Sequence, residues 1–438
     1  MQDDREKTPT LRVAVIGAGP AGLFAALTAA EGLTGEGRGS SGVQVFEKKQ
    51  RPGRKLLLSG AGQCNVTHTG TPEDFLEHYG NRDLTRRFMK KILYACPPQY
   101  LLSYLGKAGI EVCDNGEGKL FPASGRALDI LNVLVNDLER RGAVLSAGGS
   151  VANLERQDGV FLLRLEDGSI VKAEKVILAS GGCSYPQTGS TGDGYSWAAA
   201  LGHRITTPRP GLTGIMADAP GLSALAGLSF PEAGITLYRD SRKLLNRTGA
   251  LLITHRGFSG PLILNGSRYV LPGDRMVIDF TGQAREYRLE VEKLMEREGK
   301  RSLAKILAQS GLPRRLVDWS LRCAGIEGNR KAAEVSGKAV SAVLNSLTAE
   351  PFTVTGLGGW DEAMVTAGGV DLSEVNPGTL ESRIVPGLYF AGEVLDVDGD
   401  TGGYNLQAAF STGFLAGFSA AAAVDRDISI PQDEKETN

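Results

Sequence analysis

Gly17-Ala18-Gly19-Pro20-Ala21-Gly22 follows directly on the apolar run 11–16 (LRVAVI) and opens a small-residue stretch, Ala21–Ala30. A short apolar run ending at a glycine reads as a buried parallel strand. The stretch after it reads as a helix. In this strand-turn-helix, Gly17 permits the tight turn and Gly19 lets backbone approach a pyrophosphate. Gly22 lets the helix pack closely on the strand. The free N–H groups and positive dipole end of the helix then face the phosphates. Alone, such a glycine pattern is weak; its specificity here comes from the strand before it and the helix after it.

Working outward, residues 32–42 are a glycine-rich loop and Val43–Phe46 a second strand, completing a βαβ unit. Glu47 ends that strand at the position where an acid accepts hydrogen bonds from a ribose. A solvated strand-end charge is the alternative. The motif does not choose between FAD and NAD; the C-terminal segment does. Gly387–Glu393 (GLYFAGE) reads as a strand ending in Gly-Glu, and Gly402-Gly403-Tyr404-Asn405-Leu406-Gln407 opens another small-residue helix. A second strand-turn-helix returning to the first domain is what FAD requires. The start of that helix would face the flavin N1–C2=O region, where negative charge develops on reduction.

The fold class is therefore α/β: a three-layer Rossmann-type FAD-binding domain, interrupted by an inserted β-barrel and a small helical subdomain. Helical periodicity over 128–141, alternating stretches at Val151–Leu154 and Phe161–Leu165, and the strand Val176–Ala179 continue the first domain. Short β-like runs dominate 206–282, and 285–347 turn helical and charged. The expected boundaries are 11–205 and 356–425 for the discontinuous FAD domain, 206–284 and 340–355 for the barrel, and 285–339 for the helices. Residues 426–438 are expected to be a disordered tail.

Composition narrows the function. The chain has 438 residues, long enough for two or three domains, and 58 of them are glycine. Net charge is −2, which gives no general attraction to nucleic acid or to an anionic membrane. Cys64, Cys96, Cys113, Cys183 and Cys323 form no CxxC pair, and the four histidines form no HxxxH pair, so no metal site is expected. Scattered cysteines and a charged N-terminus without an apolar stretch point to the cytoplasm. Two uncharged runs, Val13–Ala30 and Asn405–Val424, reach membrane-span length, but their glycine, proline and amide content reads as buried α/β elements.

The sequence closely resembles the YhiN/BaiN-like flavoproteins, variously labelled aminoacetone oxidase-like or NAD(P)/FAD-dependent oxidoreductases. The resemblance runs in order through GAGPAG (17–22), FEKKQRPGRKLLLSGAGQCNVTH (46–68), FPASGRA (121–127), LASGGCSYPQTGSTGDGY (178–195), THRGFSGP (254–261), TAGGVDL (366–372) and GLYFAGEVLDVDGDTGGYNLQAAFSTG (387–413). It implies that Glu47 and Lys48 lie near the adenosine ribose and that Val151 meets the adenine through its backbone. Arg54, Lys55 and the 59–65 loop with Asn65 would line the flavin side. Gly392 and Glu393 would lie near the phosphates and ribityl, and Asn405, Leu406 and Gln407 near the ring; Gly181 and Gly403 are further expected cofactor contacts. Gln63 stands where many relatives carry Arg.

The expected activity is hydride transfer through flavin N5, with substrate between the FAD domain and the insertion. NAD(P)H is the expected transient donor and an enone- or ketone-like molecule the acceptor. An oxygen-dependent amine oxidase is the alternative, with an RNA-modifying or non-catalytic flavoprotein further off. No second GxGxxG follows a strand, so a nicotinamide would have no Rossmann site of its own. His255, just past the run Leu251–Ile253, is the candidate proton donor, set against a structural histidine.

Overall fold

The computed structural model describes residues 10–33, 41–80, 83–218, 221–309 and 311–424. Most of the glycine-rich loop and the tail expected to be disordered lie outside the described residues.

The chain divides into two compact units, one made of residues 1–209 and 365–438, the other of 210–364. In the first, β1 (Leu11–Ile16), α1 (Pro20–Leu33) and β2 (Val43–Glu47) are followed by β3 (Thr67–His68), α2 (Pro72–Leu76), α3 (Asp83–Ala95) and α4 (Pro98–Lys107). Then come β4 (Val112–Asp114), β5 (Lys119–Pro122), α5 (Ala127–Arg140), β6 (Val144–Ala147), β7 (Val151–Gln157), β8 (Val160–Leu165), β9 (Ile170–Leu178), α6 (Asp193–Ala200) and β10 (Ile205–Gly211). The second unit contains β11 (Ile215–Asp218), β12 (Ser229–Arg239), β13 (Arg242–Ile253), β14 (Gly257–Ser259), α7 (Pro261–Gly266) and β15 (Arg275–Asp279). It continues with α8 (Ala284–Glu298), α9 (Leu303–Ala308), α10 (Arg314–Cys323), α11 (Gly337–Thr348) and β16 (Glu350–Leu357). The chain re-enters the first unit through β17 (Val365–Val370), β18 (Leu388–Phe390) and α12 (Tyr404–Val424).

The main sheet runs β6-β2-β1-β9-β8-β7, and β18 also pairs with β9. β1 is parallel to β2 and β9, and β18 is parallel to β9, which leaves the apolar run Val13–Ile16 buried among strands. The antiparallel meander β7-β8-β9 finishes one edge. α1 and α12 cross at backbone contact. A Cβ on Gly413 would lie 2.4 Å from the Ala21 carbonyl oxygen, and one on Gly417 would lie 2.1 Å from that of Ala25. Among the described helices α12 alone is long and apolar enough to cross a membrane, but 72% of its most apolar stretch is buried in the protein.

In the second unit β11-β14-β13-β12-β15-β16 close into an antiparallel barrel. Closure leaves no strand edge unpaired. Phe230, Phe258, Phe280 and Phe352 fill it, and the same apolar cluster continues into Val291, Leu316 and Leu344 of the helices. Barrel and helices therefore share one core. Two expected boundaries shift as a result. Residues 340–348 belong to helix α11, because Val340, Val343, Leu344 and Leu347 form a buried helical stripe, and only β16 returns to the barrel. β10 pairs with β17 outside the barrel, and the second unit closes at Met364, later than residue 356.

Candidate functional site

The first glycine turn divides its labour. Gly17 has φ +107°, and its amide donates to the Phe46 carbonyl at 2.8 Å, locking the turn to β2. A Cβ there would meet the Ala179 carbonyl oxygen at 2.4 Å, and one on Gly22 would meet the Gly17 carbonyl oxygen at 1.8 Å. These two glycines serve packing. Gly19 is different, because a Cβ there would meet nothing within 4 Å. Its open side is a cradle, and Pro20 starts α1 where its missing N–H costs nothing. With Ala21 and the unpaired first-turn amides, this cradle fits a diphosphate.

Glu47 takes the Ala18 amide at 3.0 Å on one oxygen and the Lys49 amide at 2.8 Å on the other. Each oxygen keeps a lone pair for a ribose hydroxyl. Lys48 turns away from that carboxylate: its Nζ lies 2.6 Å from Asp193 and also donates to Thr191 at the start of α6. Val151 is buried at the start of β7, and Gly181, at φ +76°, follows β9.

The second turn meets the first. A Cβ on Gly392, at φ +74°, would lie 2.7 Å from that of Ala21, and the Gly392 amide donates to Thr412 of α12 at 2.9 Å. Glu393, next in sequence, binds four segments together. Its Oε1 accepts from Ser184 and from the Thr366 amide, both at 2.8 Å, and Oε2 from Lys55 at 2.6 Å. Burial would raise the Glu393 carboxyl, but Lys55, Ser184 and Thr366 outweigh it and hold the group below the usual carboxylate range. One lone pair, on Oε2, is left for a ligand hydroxyl. Lys55 is thus the partner of Glu393, whereas neighbouring Arg54 is exposed.

Leu56–Gly62 form a 3-10 loop broken by extended Ser59 and by left-handed Gly60 and Ala61. Cys64 is left-handed too (φ +63°) and fully buried; burial pushes its thiol up to about 11, against a Ser59 hydrogen bond. That thiol is a packed residue and no nucleophile. Half-buried Asn65 follows it. At the start of α12, Gly403 presses on Thr67, whose carbonyl oxygen would be 2.4 Å from a Cβ.

The Asn405 amide accepts from the Gly399 amide at 2.8 Å and donates to the Gly399 carbonyl at 2.9 Å. Gln407 has no exposed surface: its amide is spent on Thr67, Ser411 and Cys96. Both side chains hold the helix start in place, which leaves the first-turn backbone amides and half-buried Leu406 as what α12 presents there. His255 lies in the other unit. It is exposed and lines a cavity of about 370 Å³ with Thr254, Arg256, Ser259, Phe258 and Glu362.

Sequence reasoning missed Ser184 and Thr366 of the Glu393 network. It also missed His68, His78 and Asp400, which surround the start of α12. Lys55 and Glu393 are 338 positions apart, and His78 and Asp400 322 apart, so no local spacing announces either pair.

Two glycine turns on one sheet, with the start of α1 packed on α12 at Gly413, define an FAD-dependent oxidoreductase of the Rossmann type. A family described as HI0933-like protein Rossmann domain matches residues 11–419, and the chain belongs to that family. It is 30% identical to a 3-dehydro-bile acid delta(4,6)-reductase of Clostridium scindens, over 94% of this chain and 99% of that one. It is 31% identical to an Escherichia coli protein named ribosomal RNA dihydrouridine synthase, over 93% and 98%. Among solved structures it is similar in fold to a Rhodococcus jostii 3-ketosteroid-delta4-(5alpha)-dehydrogenase, with a TM-score of 0.50 at 16% identity, covering 96% of this chain and 98% of that one.

Proposed function

We propose that this oxidoreductase reduces a carbon–carbon double bond conjugated with a carbonyl, drawing its electrons from NAD(P)H. The carrying observation is the meeting of Gly392 with Ala21 and of Gly413 with Ala21, which brings the start of α1 against α12 nine residues past its first residue, Tyr404, so that the two helix starts are offset by roughly 13 Å along one side of a cofactor. The named activity of the C. scindens relative is the saturation of double bonds in a keto-steroid, and that supports the substrate class. When bound, FAD supplies a hydride at N5.

The chain's own residues then do three things. The cradle at Gly19 and the acceptor Glu47 bind the adenosine diphosphate half. The Lys55–Glu393 pair and the locked 56–65 loop orient the other half and keep water from it. The first-turn amides of α12 stabilise negative charge on the reduced ring.

The test is anaerobic mixing of the purified protein with NADH or NADPH, then with an enone steroid, uridine-containing RNA, an amine or oxygen. The expected result is bleaching of the flavin by a nicotinamide and faster recolouring by a conjugated carbonyl compound than by oxygen. The RNA arm belongs there because uracil also has a double bond conjugated with a carbonyl, and the E. coli relative bears an RNA activity in its name. Bleaching by an amine alone, with recolouring by oxygen alone, contradicts the proposal in favour of an amine oxidase.

A further inference from the structure

Tyr404, the first residue of α12, is buried against four rings. Phe75 and Tyr79 meet it edge-on, and the Tyr79 hydroxyl donates to its carbonyl at 2.7 Å. Two imidazoles stack parallel to it: His78 with centroids 4.0 Å apart and 15° between planes, His68 at 5.1 Å and 16°. Burial explains the phenylalanine and the tyrosine. It does not explain His78, whose side chain is 37% exposed and could be replaced by a purely apolar ring without loss of stacking.

His78 makes a contact such a ring cannot. Its Nδ1 lies 3.1 Å from Asp400 Oδ2, and its carbonyl accepts the Asp400 amide at 2.9 Å. The Asp400 carbonyl in turn accepts from Asn405 at 3.2 Å. A carboxylate is thereby fixed beside the first turn of α12. The positive end of a helix dipole attracts that carboxylate, and it equally attracts negative charge on a reduced cofactor. The two anions compete for one helix end.

We propose that His78 is a positioning residue for the cofactor. Its Nδ1 bond engages the Asp400 carboxylate and fixes its direction, leaving the α12 amides to the reduced ring. This rests on the reading that FAD binds with its ring at the start of α12.

The experiment is the midpoint potential of the bound flavin in the purified holoprotein, wild type against His78→Phe, Asp400→Asn and the double variant. His78→Phe keeps a stacked ring and loses the Asp400 bond; its potential is expected to shift negative, because a carboxylate released from that bond competes better for the helix end and disfavours the reduced anion. Asp400→Asn is expected to shift it positive. The double variant is expected to match Asp400→Asn, because with the carboxylate gone His78 has nothing to hold. A histidine that only packs would lower the melting temperature and leave the His78→Phe potential equal to wild type, whatever Asp400→Asn does, and that result overturns the proposal. Wild-type protein that takes up no FAD would instead sink the cofactor reading, before any variant is made. If His78→Phe fails to fold, His78→Met, alone and combined with Asp400→Asn, carries the same comparison.

Discussion

Gly19 and Gly22 sit three residues apart in one turn and answer to different forces. A methyl at Gly19 enters open space, so Gly19→Ala is expected to leave the melting temperature of the cofactor-free protein unchanged. The same methyl fills the diphosphate cradle, and FAD affinity is expected to fall about tenfold or more, ~1.4 kcal/mol in binding. Gly22→Ala drives a methyl into the Gly17 carbonyl and is expected to cost about 1–3 kcal/mol of folding stability. Thermal melts with and without FAD, beside calorimetric titration, separate the two.

Glu393 gives the residue scale its pH dependence. Its carboxyl is held below the ordinary range in the folded protein, so its contribution is present above the unfolded value, ~4.3. It is lost as pH falls through the folded value. Lys55→Met removes the main opposing charge and leaves burial to raise the group, so in that variant stability is expected to fall as pH rises through the carboxylate range. Melting temperatures from pH 3 to 8, roughly the span where carboxylates titrate, check the reversal. A Lys55→Met profile parallel to wild type contradicts it.

At the scale of elements, α1 and α12 can touch because Gly413 and Gly417 carry no side chain against Ala21 and Ala25. Gly417→Val puts two methyls against the Ala25 carbonyl and is expected to cost about 3 kcal/mol and to weaken FAD binding as α1 and α12 part. Gly417→Ala is expected to be intermediate in both melting temperature and affinity. β1, α1 and α12 were legible in the sequence because apolar runs bounded by glycines carry their own signal. The role of the α12 side chains was not legible. Asn405 and Gln407 sit at the expected helix start, but their amides bond Gly399, Thr67 and Ser411, and no local pattern reveals that a polar side chain points inward. Lys48 likewise follows Glu47 in sequence yet turns to Asp193, a partner supplied by the start of distant α6.

For the whole molecule, the interruption of one domain by another was readable from the change in composition near residue 206 and the return of an apolar strand at Leu388. Inside the insertion the change from short β runs to helical periodicity near residue 285 was legible as well; that barrel and helices share one apolar cluster was not, since alternation in strands looks locally unlike helical periodicity even where both feed the same core. The account as a whole depends on backbone from two distant parts of the chain gripping a single cofactor. The most direct measurement is the flavin content of protein purified without denaturant, read from its visible absorption, with Gly19→Val alongside. The expected result is about one FAD per chain in the wild type, retained or regained on adding FAD, and a folded but colourless Gly19→Val. Wild-type protein that is colourless and takes up no added FAD would contradict the account.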